Sequence, residues 1–209
     1  EKGLESDLKN FGEGHPRVAF SWHYLGNVYH TKGEYDKAIE YHEKALKIHI
    51  LTSGEGTYRV ATGWNTLGRD WNEKGEFDKA IEYHEKALKS YLKTVGEGHP
   101  RVASCNDNLA KDWLGKGELN TAIIYLEKGL KHKIKIFGED HPSVATSWNN
   151  LSAIWFKQGN YDKAIEYLEK TLKVYILTLG EGHPWVATCW DNLGKTWQAK
   201  GENDKAIKY

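Results

Sequence analysis

The chain repeats itself every 42 residues. Gly33, Gly75, Gly117, Gly159 and Gly201 fall in register, as do Leu25, Leu67, Leu109, Leu151 and Leu193, and Ala38, Ala80, Ala122, Ala164 and Ala206. A period of this length marks an array in which one supersecondary unit, unable to bury its apolar face alone, stacks on copies of itself. Contacts then run mainly between neighbours, and function is to be sought where the copies disagree. The sequence divides into the end of a preceding unit (1–11), four full units (12–53, 54–95, 96–137 and 138–179) and a truncated fifth (180–209), so residues 1–209 are read as a single array.

One unit predicts two helices. A Gly-Glu-Gly/Asp-His-Pro loop at 12–16, 96–100, 138–142 and 180–184 places Pro in a first helical turn, where its missing donor is not needed. Val18, Ala19, Trp22, Leu25, Gly26 and Tyr29 follow at spacings of three and four, one buried helical face that Gly33 ends. Asp36 is a plausible N-cap for a second helix, in which Ala38, Ile39, Tyr41, Ala45, Leu46 and Ile50 continue the pattern to Gly54. The unit expected is a helical hairpin. Weak points are expected in the second unit, where Thr57-Tyr58 replaces His-Pro and Gly63 lies inside a helix, and at Gly129 in the third.

Trp22-x2-Leu25-Gly26-x2-Tyr29 followed by Ala38 and Ala45 resembles the tetratricopeptide repeat, and the pattern recurs in all five units with Asn106 replacing the first Trp of the third. Where that family commonly ends the second helix with Pro, this chain has Ile50, Leu92, Ile134 or Ile176, so the helix can run on by about two turns. The longer unit, with its Asn149-Asn150-Leu151 run, is similar to the array of kinesin light chains. The resemblance implies an all-α, right-handed α-solenoid that acts as a non-catalytic protein-interaction scaffold, with the first helices lining a concave face.

Composition narrows the functional classes. Net charge is zero, with 29 basic and 29 acidic residues, which argues against nucleic acid or an anionic membrane as the main partner. Apolar runs fall far short of the roughly 20 residues that span a bilayer. Cys105 and Cys189 share a repeat position two units apart, too far for a disulfide, and free thiols point to a reducing, cytoplasmic setting. His15, His99, His141 and His183 lie in separate copies of one loop and cannot converge on one ion; His42, His49 and His84 have no evident carboxylate or cysteine to complete a site. No metal or cofactor is expected. Trp22, Trp64, Trp148 and Trp190 share one packing position and Trp71, Trp113, Trp155 and Trp197 another, leaving Trp185 as the exposed exception.

Among the variable positions, Asn27, Arg69, Lys111, Ala153 and Lys195 form one row, with His23, Asn65, Asp107, Asn149 and Asp191 four residues earlier. Between them Tyr24, Thr66, Asn108, Asn150 and Asn192 supply side-chain amides able to donate to and accept from an extended backbone. A further row, His30, Asn72, Leu114, Phe156 and Gln198, suggests an apolar pocket over the third and fourth units. If the first helices line the groove, these rows describe a protein or peptide ligand with acidic residues and a hydrophobic anchor. Asp70 and Asp112 stand where other units carry Val28, Ile154 and Thr196; lacking a nucleophile nearby, they are expected to join Arg69 and Lys111 in an inter-repeat ion network worth little net stability. Two rival readings remain: end-to-end self-association of the array, and the sensor segment of a larger signalling protein.

Overall fold

The computed structural model describes residues 2–209, which form eleven helices and no strand. After α1 (Lys2–Phe11) come the hairpin α2 (Pro16–Thr31) with α3 (Tyr35–Ser53), the hairpin α4 (Tyr58–Glu73) with α5 (Phe77–Thr94), the helices α6 (Pro100–Gly115) and α7 (Leu119–Phe137), and the hairpin α8 (Pro142–Lys157) with α9 (Tyr161–Leu179). The last pair is α10 (Pro184–Ala199) and the single turn α11 (Asn203–Ala206). Contacts divide the chain into two compact units, one ending at Glu118 and the other spanning Leu119–Tyr209. In the first, α3 packs on α4 and α5 on α6; in the second, α7 packs on α8 and α9 on α10. The chain is all-α and built of helix-turn-helix repeats.

Helix boundaries follow local chemistry. A glycine with φ between 75° and 89° recurs every 21 residues from Gly12 to Gly201, a conformation that a side chain disfavours, and it closes first and second helices alike. The loop histidines have a role that their spacing did not reveal. His15 Nδ1 accepts from the Arg17 amide at 3.1 Å, and His99, His141 and His183 repeat the arrangement on Arg101, Ser143 and Trp185. Each is the N-cap ahead of a proline, while in the 54–95 repeat Thr57 Oγ1 takes over, accepting from the Val60 amide at 3.4 Å. Asp36 is not the cap of α3: Glu34 holds that position, and Asp36 sits in the first turn, where its carboxylate meets Lys74 of the next hairpin. Asp78 meets Lys116 at 2.5 Å, and Asp162 meets Lys200 in the same way. Where the copy carries Asn120, the partner is Gln158, a neutral pair at 2.8 Å.

The core consists of small clusters between neighbouring helices. Ile39, Leu46, Val60 and Leu67 form one, with Trp64, Trp71 and Tyr83 against it; Ile165, Leu168, Cys189 and Leu193 form another beside Trp197. Each fully buried aliphatic side chain contributes about 1.5–3 kcal/mol by leaving water. Trp148 is buried and seven other indoles are partly buried, as packing positions require, whereas Trp185 is 52 % exposed. Lysines cover the second indole row: Lys79 Nζ lies 4.0 Å from the Trp71 ring centre and Lys163 Nζ 3.8 Å from that of Trp155.

Both cysteines are free and buried, Cys105 Sγ on the His84 carbonyl at 3.2 Å and Cys189 Sγ on that of Leu168 at 3.3 Å. Burial pushes the Cys105 thiol up to about 12 and that of Cys189 to about 11, so almost no thiolate exists at neutral pH. An aqueous thiol reagent near pH 8 is expected to react roughly 100-fold more slowly with the folded chain than in denaturant. Two equivalents modified rapidly under native conditions would contradict that burial.

Candidate binding surface

The first helices carry the variable rows, and the structure distributes their members unevenly. In the second unit α8 and α10 stand over α9 and leave a cleft of about 300 Å³ lined by Asn149, Ala153, Phe156, Asn192 and Lys195, with Leu168 and Thr196 also on its wall. Four side chains selected from the sequence thus meet in one cleft, while Asn150 is exposed outside its lining. Phe156 is 38 % exposed and stands edge-on to Tyr161 at 5.6 Å. Lys195 lies 3.6 Å from Asp191 with both side chains largely in solvent.

In the first unit the rows are drawn into pairs. Asn108 Nδ2 donates to Asn65 Oδ1 at 3.0 Å across α4 and α6, joining two amides that the sequence placed in different rows. Lys111 Nζ donates to Glu73 at 2.6 Å, and this hydrogen bond is the main reason the Glu73 carboxyl is held below its ordinary range. Asn27 and Arg69 are exposed, and Leu114 is half-buried. Leu114 and Phe156, expected to share a pocket, fall in different compact units.

Asp70 and Asp112 do bridge repeats, but to histidines and not to Arg69 and Lys111, and both are buried, at 1 % and 0 % exposure. Asp70 accepts from His42 Nδ1 at 2.5 Å and from His30 Nδ1 at 2.7 Å. Asp112 accepts from His84 Nδ1 at 2.6 Å and from Asn72 Nδ2 at 2.7 Å. A carboxylate can only accept, so each imidazole presents its Nδ1–H, which leaves Nε2 of His42 and of His84 buried without a hydrogen-bond partner. Burial pushes the Asp112 carboxyl above its ordinary range, opposed by His84 and Asn72. The carboxylates missing beside His42 and His84 in sequence therefore lie 28 residues ahead, on the next hairpin.

The available signal was a coupled exchange within the array. The histidine positions become Leu126 and Leu168, and the matching aspartates become Ile154 and Thr196, so the polar pair disappears from both sites together. Gly26 and Gly68 belong to the same device. A Cβ on Gly68 would lie 2.6 Å from His84 Nε2, and one on Gly26 would strike the His42 ring; in the copies whose second helix carries leucine the sequence has Ala110 and Ser152 at these positions. Among the described residues no group of three or more His, Cys, Asp or Glu is placed to hold a metal ion, and no helix is long and apolar enough to cross a membrane.

Stacked helical hairpins with a variable face on the first helix define the class of helical-repeat interaction scaffolds. The tetratricopeptide repeat family matches over 59–135, 114–175 and 143–209, with a second model of the same repeat over 19–49, and the chain belongs to that family. No curated protein sequence matches the chain. Among solved structures it is similar to a Podosopora anserina protein described as "kinesin light chain nearly identical TPR-like repeats", at 25 % identity and a TM-score of 0.80 over 93 % of this chain and 92 % of that one. BtubC (BKLC) from P. vanneervenii superposes with a TM-score of 0.81 at 22 % identity, over 99 % of this chain and 82 % of its own. Aspartyl phosphate phosphatase F from Bacillus subtilis shares the fold at 18 % identity and a TM-score of 0.78, over 99 % of this chain and 52 % of its own. The chain is a protein–protein interaction scaffold of the tetratricopeptide type.

Proposed function

We propose that the chain is a non-catalytic scaffold that binds an extended peptide segment or protein surface along its first helices. The observation that carries this reading is the cleft between α8 and α10, where the amides of Asn149 and Asn192, the Phe156 ring and the Lys195 ammonium line one opening. Amides hold a backbone of any sequence, an apolar wall takes a hydrophobic side chain, and a nearby cation selects an acidic neighbour. In the compact unit that ends at Glu118, Arg69 on α4 and Lys111 on α6 hold the same repeat position as Lys195, and Asn27, Asn65 and Asn108 hold the polar row positions there. Two inert buried thiols suit a cytoplasmic protein.

A peptide array screened against the wild type and against the triple variant Arg69→Glu, Lys111→Glu, Lys195→Glu tests the assignment. Acidic peptides with an aromatic or branched anchor are expected to bind the wild type and to lose about tenfold or more in affinity to the variant. The three positions are exposed, and losing the Lys111–Glu73 pair costs at most about 1 kcal/mol of stability, so the fold persists. Equal binding to both proteins would show that this row does not select the ligand.

A further inference from the structure

The groove between α2 and α4, floored by α3, contains a cavity of about 400 Å³. Two other grooves are filled at the equivalent place. In the next groove the floor position of His49 is taken by Tyr91, which is fully buried and donates to Thr62 at 3.1 Å, and the wall position of Gly63 is taken by Cys105. Between α8 and α10 the floor residue is Tyr175, whose hydroxyl meets Thr146 at 3.2 Å. Tyrosine therefore fills the equivalent space twice, and the first groove stays open because an imidazole is shorter and a glycine adds no side chain.

The lining is chemically mixed. Phe20, Leu46 and Tyr58 supply apolar surface, and His23, His49 and Arg59 supply nitrogen donors. His42 also lines the cavity; it is 2 % exposed, and its Nε2 has no partner. His49 Nδ1 is likewise buried and unsatisfied. His42 Nε2 is turned against Gly26, and neither of these nitrogens is reached by solvent, so a ligand in the opening meets His23 and the other nitrogen of His49. Arg59 is the one permanent charge in the lining, enough for a single anionic group and too little for a densely charged one.

We propose that this cavity binds a small organic carboxylate carrying an aromatic or branched apolar body, with the carboxylate against His23, His49 and Arg59 and the body against Phe20, Leu46 and Tyr58. The site is separate from the α8–α10 cleft, and its failure would leave the peptide reading intact. Without ligand, His23 is held below the ordinary imidazole range by burial and by His42, against the pull of Asp70. His49 is held down by burial, then by Arg59 and His23. Depressed imidazoles favour the fold fully above their ordinary value of about 6.5; as pH falls below it the unfolded chain takes protons that the empty cavity refuses. A bound carboxylate reverses the preference by supplying a counter-charge, so affinity rises as pH falls until the ligand itself protonates.

The probe is 3-phenylpropionate, titrated calorimetrically into the intact chain near pH 6 and near pH 8, with the histidine ring protons followed by NMR. Binding is expected to be at least about tenfold tighter at the lower pH, to shift His23 and His49, and to vanish for the neutral amide of the same acid. His49→Tyr places there the residue that two other copies carry and is expected to abolish binding; Arg59→Gln, on an exposed position, is expected to weaken it about tenfold. An N-acetylated dipeptide ending in Phe distinguishes a chain terminus from a free acid as the source, and binding of either supports the site. Equal binding of acid and amide, binding unaffected by both substitutions, or inorganic phosphate binding as tightly as the organic acid would overturn the assignment.

Discussion

Asp112→Ile is expected to destabilise the α4–α6 region by about 3–5 kcal/mol, although isoleucine is what the array itself carries at the matching position 154. The loss arises from what remains. Asp112 satisfies both His84 Nδ1 and Asn72 Nδ2, each within 2.7 Å, and its removal strands two buried donors where water does not reach. His84→Leu alone is expected to lose a similar amount, because a buried carboxylate is then left with the Asn72 amide only. The double variant, which introduces the Leu126 and Ile154 combination, is expected to recover the share of the deficit that belongs to the pair and to keep a loss of about 1–3 kcal/mol for the Asn72 amide that Asp112 no longer satisfies. Urea unfolding read with amide exchange in α4, α5 and α6 measures this locally, as a stacked array requires. A double variant whose loss equals the sum of the singles would show that the two side chains are not energetically joined.

Gly68→Ala is expected to destabilise the same region by about 1–3 kcal/mol, against the ordinary rule for helices. In an exposed helix the exchange gains about 1 kcal/mol. Here Gly68 is buried in α4, and the added methyl would stand 2.6 Å from Nε2 of His84, a ring that is 1 % exposed and tied to Asp112. Moving the ring breaks the buried hydrogen bond, so overpacking outweighs propensity. With His84→Leu and Asp112→Ile in place the same substitution becomes neutral or favourable, since Ala110 is the residue that accompanies Leu126. Thermal melts of the two backgrounds carry the comparison, and an equal effect in both would mean that the ring does not dictate the glycine.

Most of the fold was legible in the sequence because its determinants are local. Proline after a loop histidine, glycine at a positive φ and apolar spacing of three and four each act within a few residues, and the helices start and stop where those residues stand. The buried layer was not, because His42 and Asp70 act across 28 residues on different hairpins, and a lone aspartate on a helix reads as a solvated charge until its partner is known. Asp36 was misplaced as a cap for the opposite reason: it suits that role intrinsically, but the turn begins two residues earlier at Glu34. Of the variable rows, Asn149, Phe156, Asn192 and Lys195 line one cleft in the structure, yet the pattern could not show that Asn65 and Asn108 bond to each other, which depends on how closely two helices approach.

The coupled histidine and aspartate also restrict how the hairpins may be ordered. A block whose second helix carries His42 or His84 needs a successor bearing aspartate, whereas one carrying Leu168 is followed by a threonine and would meet an aspartate as an intruder. Cassettes cut from this gene and rejoined out of sequence would look interchangeable by length and by their glycines, yet only junctions that match imidazole to carboxylate, or hydrocarbon to an uncharged side chain, would seal.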